Sequence, residues 1–271
     1  MKLLNGKELA SYIKERQGRE VRALAQSLKV HPKLAIVVTV DNPTINVYIR
    51  KKQAYGDDLG IDVEVHQVTQ EETRALLLRL NAEPSVHGII VQLPLAKPEE
   101  TEAIVNLVAP EKDVDALGKD ALFDPATPMA ILWLLSGYNV ELNGKKVLLV
   151  GRGTLVGRPL ERILKNSNVD VWSVDRTTID LQAETLQADV IITATGSPGI
   201  LHADMIKHGA TVVDAGVASE QGKSVGDVAQ EVYERSDLTI TPVIGGVGPL
   251  TVCALFENVI RAARRTAETN S

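Results

Sequence analysis

The first hundred residues alternate apolar runs with amphipathic runs. Positions 34–40 and 88–93 are almost continuously apolar, as in strands buried on both faces, and positions 62–68 alternate with period two. Positions 44–59 and 71–80 carry apolar residues at helical spacing. Because strands separated by helices form parallel sheets, this alternation predicts an α/β lobe with helices on both faces of its sheet.

Positions 109–128 interrupt this rhythm. The stretch contains three prolines and a glycine and has no clear period, so we interpret it as a hinge. The alternation then restarts and ends at 250–267, which predicts a terminal helix. The sequence therefore predicts a fold of class α/β with two lobes, the second a Rossmann-type lobe with a parallel sheet. The strands predicted in the second lobe lie at 146–150, 170–174, 189–194 and Thr211–Asp214.

Composition and charge narrow the classes of partner. The net charge is -6 and there are nine aromatic residues (two Trp, five Tyr and two Phe), which argues against nucleic acid, since phosphate binding needs a clustered positive surface. No apolar stretch is long enough for a membrane span, and we expect no secretory signal. The lone cysteine, Cys253, excludes an intramolecular disulfide, so we expect a cytoplasmic protein. No metal site is predicted.

A glycine-rich segment follows the predicted strand at 146–150. Gly151, Gly153 and Gly157 have the spacing G-x-G-x-x-x-G, and an amphipathic run follows them. A strand, a glycine turn and a helix in this order are typical of a dinucleotide-binding loop, in which backbone N–H groups face a pyrophosphate. The alternative is a tight turn without a ligand. We favour a bound dinucleotide.

The choice between NADP and NAD depends on the end of the next strand. Asp175 there is typical of a carboxylate that binds the ribose 2′-hydroxyl of NAD. Arg176 beside it, with Arg152 in the glycine loop, is typical of a 2′-phosphate site for NADP. Alternatively, Asp175 forms an ion pair with Arg176 and neutralises it. We predict NADP, with NAD as the alternative.

The first lobe carries the candidate chemistry. Tyr48 and Lys52 are four residues apart in a predicted helix, which puts a phenol and an amine on one face, where they can relay a proton. Gln92 ends a predicted strand, where it can position a lysine. Asp113 and Asp115 lie in the hinge and can bind an amidine-like edge. Each assignment has a structural alternative. Tyr48 and Lys52 can be ordinary surface residues, Gln92 can be a buried amide whose hydrogen bonds are satisfied, and the two aspartates can cap a turn.

Taken together, these segments resemble the bifunctional methylenetetrahydrofolate dehydrogenase/cyclohydrolase family. The resemblance covers nearly the whole chain, and the order and spacing of its motifs make it specific. The motifs are Asp41-Asn42-Pro43, Tyr48-x-x-x-Lys52, GIIVQLPL at 88–95, Lys112-Asp113-Val114-Asp115, Pro125-x-Thr127-Pro128, Gly151-Arg152, Val156-Gly157-x-Pro159, Gly226-Asp227-Val228 and TPVIGGVGPLT at 241–251.

The resemblance implies a role for each matching residue. Lys52 would be the central acid/base group, Gln92 would position it, Tyr48 would stack on or orient the folate, and Asp115 would anchor the pterin ring. A loop over 245–249 would close over the substrate. Its residues Gly246, Val247, Gly248 and Pro249 would contact the folate, and Gly151, Arg152, Gly153, Asp175, Arg176 and Val217 would contact the cofactor.

Several positions depart from the family pattern. Ala116 stands where glycine usually follows the aspartate, and Gly153 stands where serine is usual in the glycine loop. The departures on the cofactor side leave the NADP preference open, whereas Lys52, Gln92 and Asp115 are intact. The other departures are Ala96 for proline, Ala126 for cysteine, Asp175 for histidine and Ile244 for proline.

The resemblance also implies a domain organisation and an activity. Residues 1–120 would form a folate-binding catalytic domain, completed by a C-terminal helix at 252–271 that packs back on it, and residues 121–251 would form the NAD(P)-binding domain. The expected enzyme is a homodimer that oxidises 5,10-methylenetetrahydrofolate and hydrolyses the product to 10-formyltetrahydrofolate, for one-carbon metabolism and purine biosynthesis. The alternatives are a shikimate-type NADP dehydrogenase and a non-catalytic protein that binds folate or a nucleotide.

Overall fold

The structure, a computed structural model, describes residues 1–220 and 223–269. The chain divides into two compact units. Unit 1 consists of Met1–Ala10 and Thr127–Thr251, and unit 2 consists of Ser11–Ala126 and the chain from Val252 onwards. The last two residues of the predicted segment 252–271 lie outside the described residues.

The division differs from the predicted one at the N-terminus, which belongs to unit 1 rather than to the first predicted domain. Strand β1 (Lys2–Leu3) pairs in parallel with a late strand, Thr239–Ile240. A strand of two residues is too short to produce a hydrophobic pattern, so this pairing could not be predicted. The functional roles predicted for the two domains stay predictions at this point.

Unit 2 is built on a three-stranded parallel sheet. Its strands are β2 (Lys33–Val38), β3 (Asp62–Gln67) and β4 (Gly88–Val91), in the order β3-β2-β4. The central strand β2 and β4 are buried along nearly their whole length, whereas the edge strand β3 is only partly buried, which explains its period-two sequence.

Helices cover this sheet. Helix α3 (Gln70–Ala82) begins with a capping box, in which the side chains of Thr69 and Glu72 each accept the other residue's backbone N–H. The apolar side chains of α3 and of the short helix α4 (Thr101–Val105) pack with β2 and β4 in one buried cluster. The helices are α1 (Gly6–Ala23), α2 (Pro43–Leu59), α3 (Gln70–Ala82) and α4 (Thr101–Val105), with a π-helical turn at Leu24–Leu28 and a 3-10 turn at Pro98–Glu100.

The last helix, α8 (Val247–Thr269), belongs to unit 2 from Val252 onwards. Its Phe256 is fully buried and packs against Tyr55 of α2, with ring centroids 5.0 Å apart. Its Asn258 donates hydrogen bonds to the carbonyls of Val114 and Asp124, both at 2.9 Å. The expectation that the C-terminal helix packs back on the first lobe is confirmed.

Unit 1 is a six-stranded parallel sheet. The remaining strands are β5 (Val147–Val150), β6 (Val171–Val174), β7 (Val190–Thr193), β8 (Thr211–Asp214) and β11 (Thr239–Ile240), and the order is β1-β11-β8-β7-β5-β6. The chain passes from β5 to β6 on one side and then to β7 on the other. Such a reversal opens a crevice at the carboxyl ends of the strands, where dinucleotides bind.

Smaller elements complete unit 1. Helix α5 (Ala126–Gly137) begins inside the predicted hinge, and α6 (Gly157–Asn166) follows the glycine loop. The α/β class and the Rossmann-type lobe are confirmed. The other elements are helix α7 (Leu181–Thr185), the antiparallel pair β9 (Ala218–Glu220) and β10 (Lys223–Val225), and 3-10 turns at Ala203–Met205 and Gln230–Glu234. In the described part of the chain, no helix combines the length and apolarity that crossing a bilayer requires.

Candidate active site

Lys52 and Gln92 meet at the carboxyl edge of the unit 2 sheet. Gln92 directly follows β4, and its backbone N–H bonds the carbonyl of Val37 at 2.9 Å, which extends the β2–β4 pairing by one residue. The Lys52 ammonium on α2 donates to the Gln92 Oε1 at 2.9 Å. The Gln92 Nε2 donates to the carbonyl of Leu93 at 3.0 Å, which fixes the amide with its oxygen toward the lysine. The predicted contact between these two residues is present.

Asp115 is the charged neighbour of this lysine. Burial lowers the pKa of Lys52, because it disfavours the ammonium, and the carboxylate of Asp115 opposes that shift. Burial likewise raises the pKa of Asp115, and the positive charge of Lys52 opposes it. The two groups are coupled, and burial is the larger influence on each. A lysine in this environment releases its proton at a lower pH than a lysine in water.

The turn that carries Asp115 is organised by Asp113. The buried Asp113 carboxylate accepts the backbone N–H groups of Gly118 at 2.7 Å and Leu117 at 3.4 Å, so it caps the turn. Burial raises the pKa of Asp113 to about 6. Ala116 adopts φ +56°, a left-handed conformation that favours glycine. Turn capping, the alternative reading of the aspartates, therefore describes Asp113.

Tyr48 is placed differently from the expectation of a phenol–amine pair. Its side chain is half-exposed, and the Lys51 ammonium lies 5.5 Å from its ring centroid. Among the contacts of the described residues, none joins the Tyr48 hydroxyl to Lys52. The helix puts the Tyr48 and Lys52 side chains one turn apart on the same face.

The glycine loop of unit 1 is shaped by close backbone contacts. Gly151 adopts φ +111°, and a Cβ there would come within 2.6 Å of the Ala194 carbonyl oxygen. A Cβ on Gly157, the first residue of α6, would overlap the Gly151 carbonyl. By contrast, a Cβ on Gly153 would meet no heavy atom of the described chain within 4 Å. Two glycines thus allow the tight turn, and Gly153 leaves open space.

The carboxylate of Asp175 is engaged locally. It accepts the backbone N–H of Thr177 at 2.9 Å and the Thr177 hydroxyl at 2.6 Å, and these bonds are the main reason that its pKa is lowered. Arg152 and Arg176 are both exposed and both lower that pKa further through their charge. Neither guanidinium has a hydrogen bond or an ion pair within the described chain. The predicted alternative of an Asp175–Arg176 pair is therefore not present.

The segment at 245–249 is not the free loop that we expected. Gly245 accepts the backbone N–H of Lys7 at 2.9 Å, and a Cβ on Gly6 would overlap the Gly246 carbonyl. Val247, Gly248 and Pro249 already belong to the first turn of α8. Proline is tolerated there because the first N–H groups of a helix have no intrahelical partner. Only Gly245 and Gly246 precede the helix. Val217, the last predicted cofactor residue, is exposed after β8.

Two family models match this chain. Residues 4–115 match the tetrahydrofolate dehydrogenase/cyclohydrolase catalytic domain, and residues 125–267 match the NAD(P)-binding domain of the same enzymes. The chain belongs to this family. The resemblance stated from the motifs is thereby confirmed, and the glycine loop, its open Gly153 and the two unpaired guanidiniums fit an NAD(P) cofactor.

Individual members of the family align along almost the full chain. The bifunctional protein FolD of Exiguobacterium sibiricum is 38% identical over 97% of this chain and 99% of that protein. The crystal structure of the Campylobacter jejuni FolD has a TM-score of 0.91 at 37% identity, with 98% of this chain and 99% of that one covered. The Trypanosoma brucei FolD, complexed with NADP cofactor and an inhibitor, has a TM-score of 0.90 at 31% identity, with 97% of each chain covered.

Shikimate dehydrogenases share the architecture only. The Thermus thermophilus enzyme has a TM-score of 0.53 at 17% identity. At that distance the likeness concerns the fold alone, and it gives no support to the alternative of a shikimate-type activity.

The structure brings together two groups of predicted residues, one in each unit. In unit 2, Lys52, Gln92 and Asp115 converge. In unit 1, the cofactor candidates lie around the carboxyl edge of the sheet. The hydrophobic pattern of this chain does not predict the left-handed backbone at Ala116. The glycine that the family usually has at this position was the one available signal.

Proposed function

We propose that this chain oxidises 5,10-methylenetetrahydrofolate to 5,10-methenyltetrahydrofolate and hydrolyses that product to 10-formyltetrahydrofolate. The observation that carries the proposal is the partly buried Lys52, hydrogen-bonded to Gln92 and beside Asp115, in a member of a dehydrogenase/cyclohydrolase family. We assign folate binding to unit 2 and nucleotide binding to unit 1. The chain is accordingly an enzyme with two activities.

Lys52 is the proton-transfer group in the hydrolytic step. Water adds to the methenyl carbon, and the neutral amine of Lys52 takes a proton from that water. The Lys52 ammonium then delivers this proton to N5 as the bond from the carbon to N5 breaks. The hydroxyl proton of the adduct is released to solvent, and the formyl group stays on N10. General-base work of this kind needs a pKa near the working pH, and burial moves the pKa of Lys52 in that direction.

Gln92 and Asp115 assist in different ways. Gln92 fixes the position of the Lys52 nitrogen through its own anchored amide. Asp115 accepts N–H groups from the amidine-like edge of the pterin, and a carboxylate suits that bidentate contact. Tyr48 is assigned to stack on the folate, as the family resemblance implies. Gly246, Val247, Gly248 and Pro249 are assigned to the folate on the resemblance alone.

NADP is the preferred cofactor in this proposal, with NAD as the alternative. When bound, the nicotinamide supplies the hydride acceptor. Gly151 and Gly153 let the backbone approach the pyrophosphate, with Val217 assigned to the same cofactor. Arg152 and Arg176 bind the 2′-phosphate, because both guanidiniums are unpaired and Asp175 is already bonded to Thr177.

An absorbance assay for methenyltetrahydrofolate tests the proposal. Formation of the methenyl compound from methylenetetrahydrofolate, faster with NADP than with NAD, is the expected result, and its decay reports the hydrolysis. If no methenyl compound forms with either NADP or NAD, the enzymatic function is refuted and a binding protein is favoured. A preference for NAD would refute only the assignment of the two arginines.

The setting of the enzyme is also a proposal. A cytoplasmic location fits a chain with one cysteine, Cys253, which is buried. The product would supply one-carbon units for purine biosynthesis. The family resemblance implies a homodimer, and light scattering during gel filtration tests it, since a single protomer's mass at micromolar concentration would refute it.

A further inference from the structure

Two carboxylates meet beneath the carboxyl edge of the unit 1 sheet. Asp214 is the last residue of β8, and Asp227 lies in the Gly226-Asp227-Val228 motif, to which the function above gives no role. Asp227 is completely buried. Burying a carboxylate is expensive unless hydrogen bonds compensate it, so such a pair calls for a physical explanation.

Asp214 is bonded by donors from three segments. Its Oδ1 accepts the Gly216 N–H at 3.0 Å, the Asp227 N–H at 3.1 Å and the Thr193 hydroxyl at 3.3 Å. Its Oδ2 accepts the Val228 N–H at 3.1 Å. Asp214 therefore fixes the backbone of the very residue that supplies the second carboxylate.

Asp227 in turn fixes the segment that follows β7. Its Oδ2 accepts the Thr195 N–H at 2.7 Å, and its Oδ1 accepts the Ser197 N–H at 2.9 Å. The short first distance is typical of a charge-assisted bond. Each oxygen thus receives a backbone donor, an arrangement that an ionised carboxylate satisfies and a carboxamide does not, because one end of an amide is itself a donor.

Two glycines make room for the pair. A Cβ on Gly216 would overlap the Asp227 carboxylate, and a Cβ on Gly226 would overlap the Asp214 carboxylate. Within the described residues, no lysine, arginine or histidine forms an ion pair with either group. Backbone N–H groups, rather than an opposite charge, compensate the two burials.

The segment fixed by Asp227 touches the glycine loop. Ala194, one residue before Thr195, donates its N–H to the Val150 carbonyl at 2.8 Å, and its own carbonyl closes against Gly151. A continuous series of hydrogen bonds and close contacts therefore runs from the Asp214 carboxylate through Asp227 to the turn that precedes α6.

We propose that Asp227, held in place by Asp214, is a positioning residue for the nucleotide: it fixes the 194–197 segment, and through it the glycine loop, without touching the cofactor. This inference rests on the proposed function, because it assumes that the carboxyl edge of unit 1 binds NAD(P). It assigns a role to the Gly226-Asp227-Val228 motif.

The test compares three variants of the full-length protein. Asp227→Asn removes the charge and turns one acceptor into a donor. Gly216→Ala keeps both carboxylates but places a methyl group where the Asp227 carboxylate lies. Asp204→Asn is the matched control, because it removes an exposed charge of unit 1 whose one side-chain partner among the described residues is Gln182. For each protein, the KM for NADP, kcat at saturating NADP, the NADPH dissociation constant and the thermal unfolding midpoint are measured.

We expect Asp227→Asn and Gly216→Ala to raise the KM for NADP and the NADPH dissociation constant about tenfold or more, with a much smaller change in kcat. Asp204→Asn should match the unaltered protein. Folded variants with unchanged NADP affinity would overturn the positioning role. Failure of both variants to fold would also overturn it, since the pair would then serve stability alone. Absence of NADP and NAD binding in the unaltered protein would refute the proposed function itself, which distinguishes the two failures.

Discussion

Gln92→Glu is the substitution that addresses the acid/base role of Lys52 most sharply. It keeps the size of the side chain and puts a negative charge where the Gln92 oxygen lies, 2.9 Å from the Lys52 ammonium. A carboxylate at that position favours the ammonium over the neutral amine. The pKa of Lys52, which burial lowers in the unaltered protein, should therefore rise.

The size of the effect follows from the geometry. At 2.9 Å and an effective dielectric constant of about 20, two unit charges attract by about 6 kcal/mol, before the desolvation of the new carboxylate is subtracted. Asp115 already faces Lys52, so part of this attraction replaces an existing one. After these two subtractions, a net attraction of about 1.4–4 kcal/mol is expected, which raises the pKa of Lys52 by about 1–3 pH units.

The assay is the rate of methenyltetrahydrofolate hydrolysis as a function of pH. A general base acts in its deprotonated form. The rising part of the pH–rate profile should therefore shift to higher pH by about 1–3 units in Gln92→Glu. Gln92→Met is the control, because it removes the acceptor without adding charge and should leave the rising part in place or move it to lower pH. A Gln92→Glu profile whose rising part coincides with that of the unaltered enzyme would refute the role of Lys52 as the base.

Three further substitutions test the cofactor site and the turn beneath Asp115. Arg176→Ala should raise the KM for NADP about tenfold or more while changing the KM for NAD little, since only NADP carries the 2′-phosphate, and Arg162→Ala on an exposed position of α6 should change neither. Ala116→Gly should increase the free energy of unfolding in urea by up to about 1 kcal/mol, because it relieves an alanine at φ +56°. Asn258→Leu should reduce that free energy by about 2–4 kcal/mol, because two backbone carbonyls lose their donor.

Each of these has a clear contrary result. Equal increases in the two KM values would mean that Arg176 does not bind the 2′-phosphate. A less stable Ala116→Gly protein would mean that the left-handed backbone carries no strain. An Asn258→Leu protein as stable as the original would mean that water replaces the lost donor at both carbonyls.

The sequence predicted the buried strands well and the shortest and most apolar elements poorly. Strands β2, β4, β5 and β7 are nearly continuous apolar runs, which leave an unmistakable pattern. Strands β1 and β11 have two residues each and leave none. Helix α5 is apolar on most of its surface, so it lacks the amphipathic period, and Pro125 before it and Pro128 in its first turn suggested a hinge.

The candidate site divides in the same way. Residue type and order indicated Lys52, Gln92 and Asp115, and the structure places them together because α2 and the end of β4 bring the lysine and the amide to the same sheet edge. The network of Asp214 and Asp227 could not be predicted. It depends on which backbone N–H groups point at each oxygen, and no periodic pattern encodes that.

The central claim is that Lys52 moves the proton in hydrolysis, and Lys52→Met tests it most directly, with Lys119→Met as an exposed control in unit 2. The rate of methenyltetrahydrofolate hydrolysis and the dissociation constant for folate are measured on each protein. We predict a loss of about 100-fold or more in the hydrolysis rate for Lys52→Met, with folate still bound and the control unchanged. Hydrolysis by Lys52→Met at the rate of the unaltered enzyme would contradict the account.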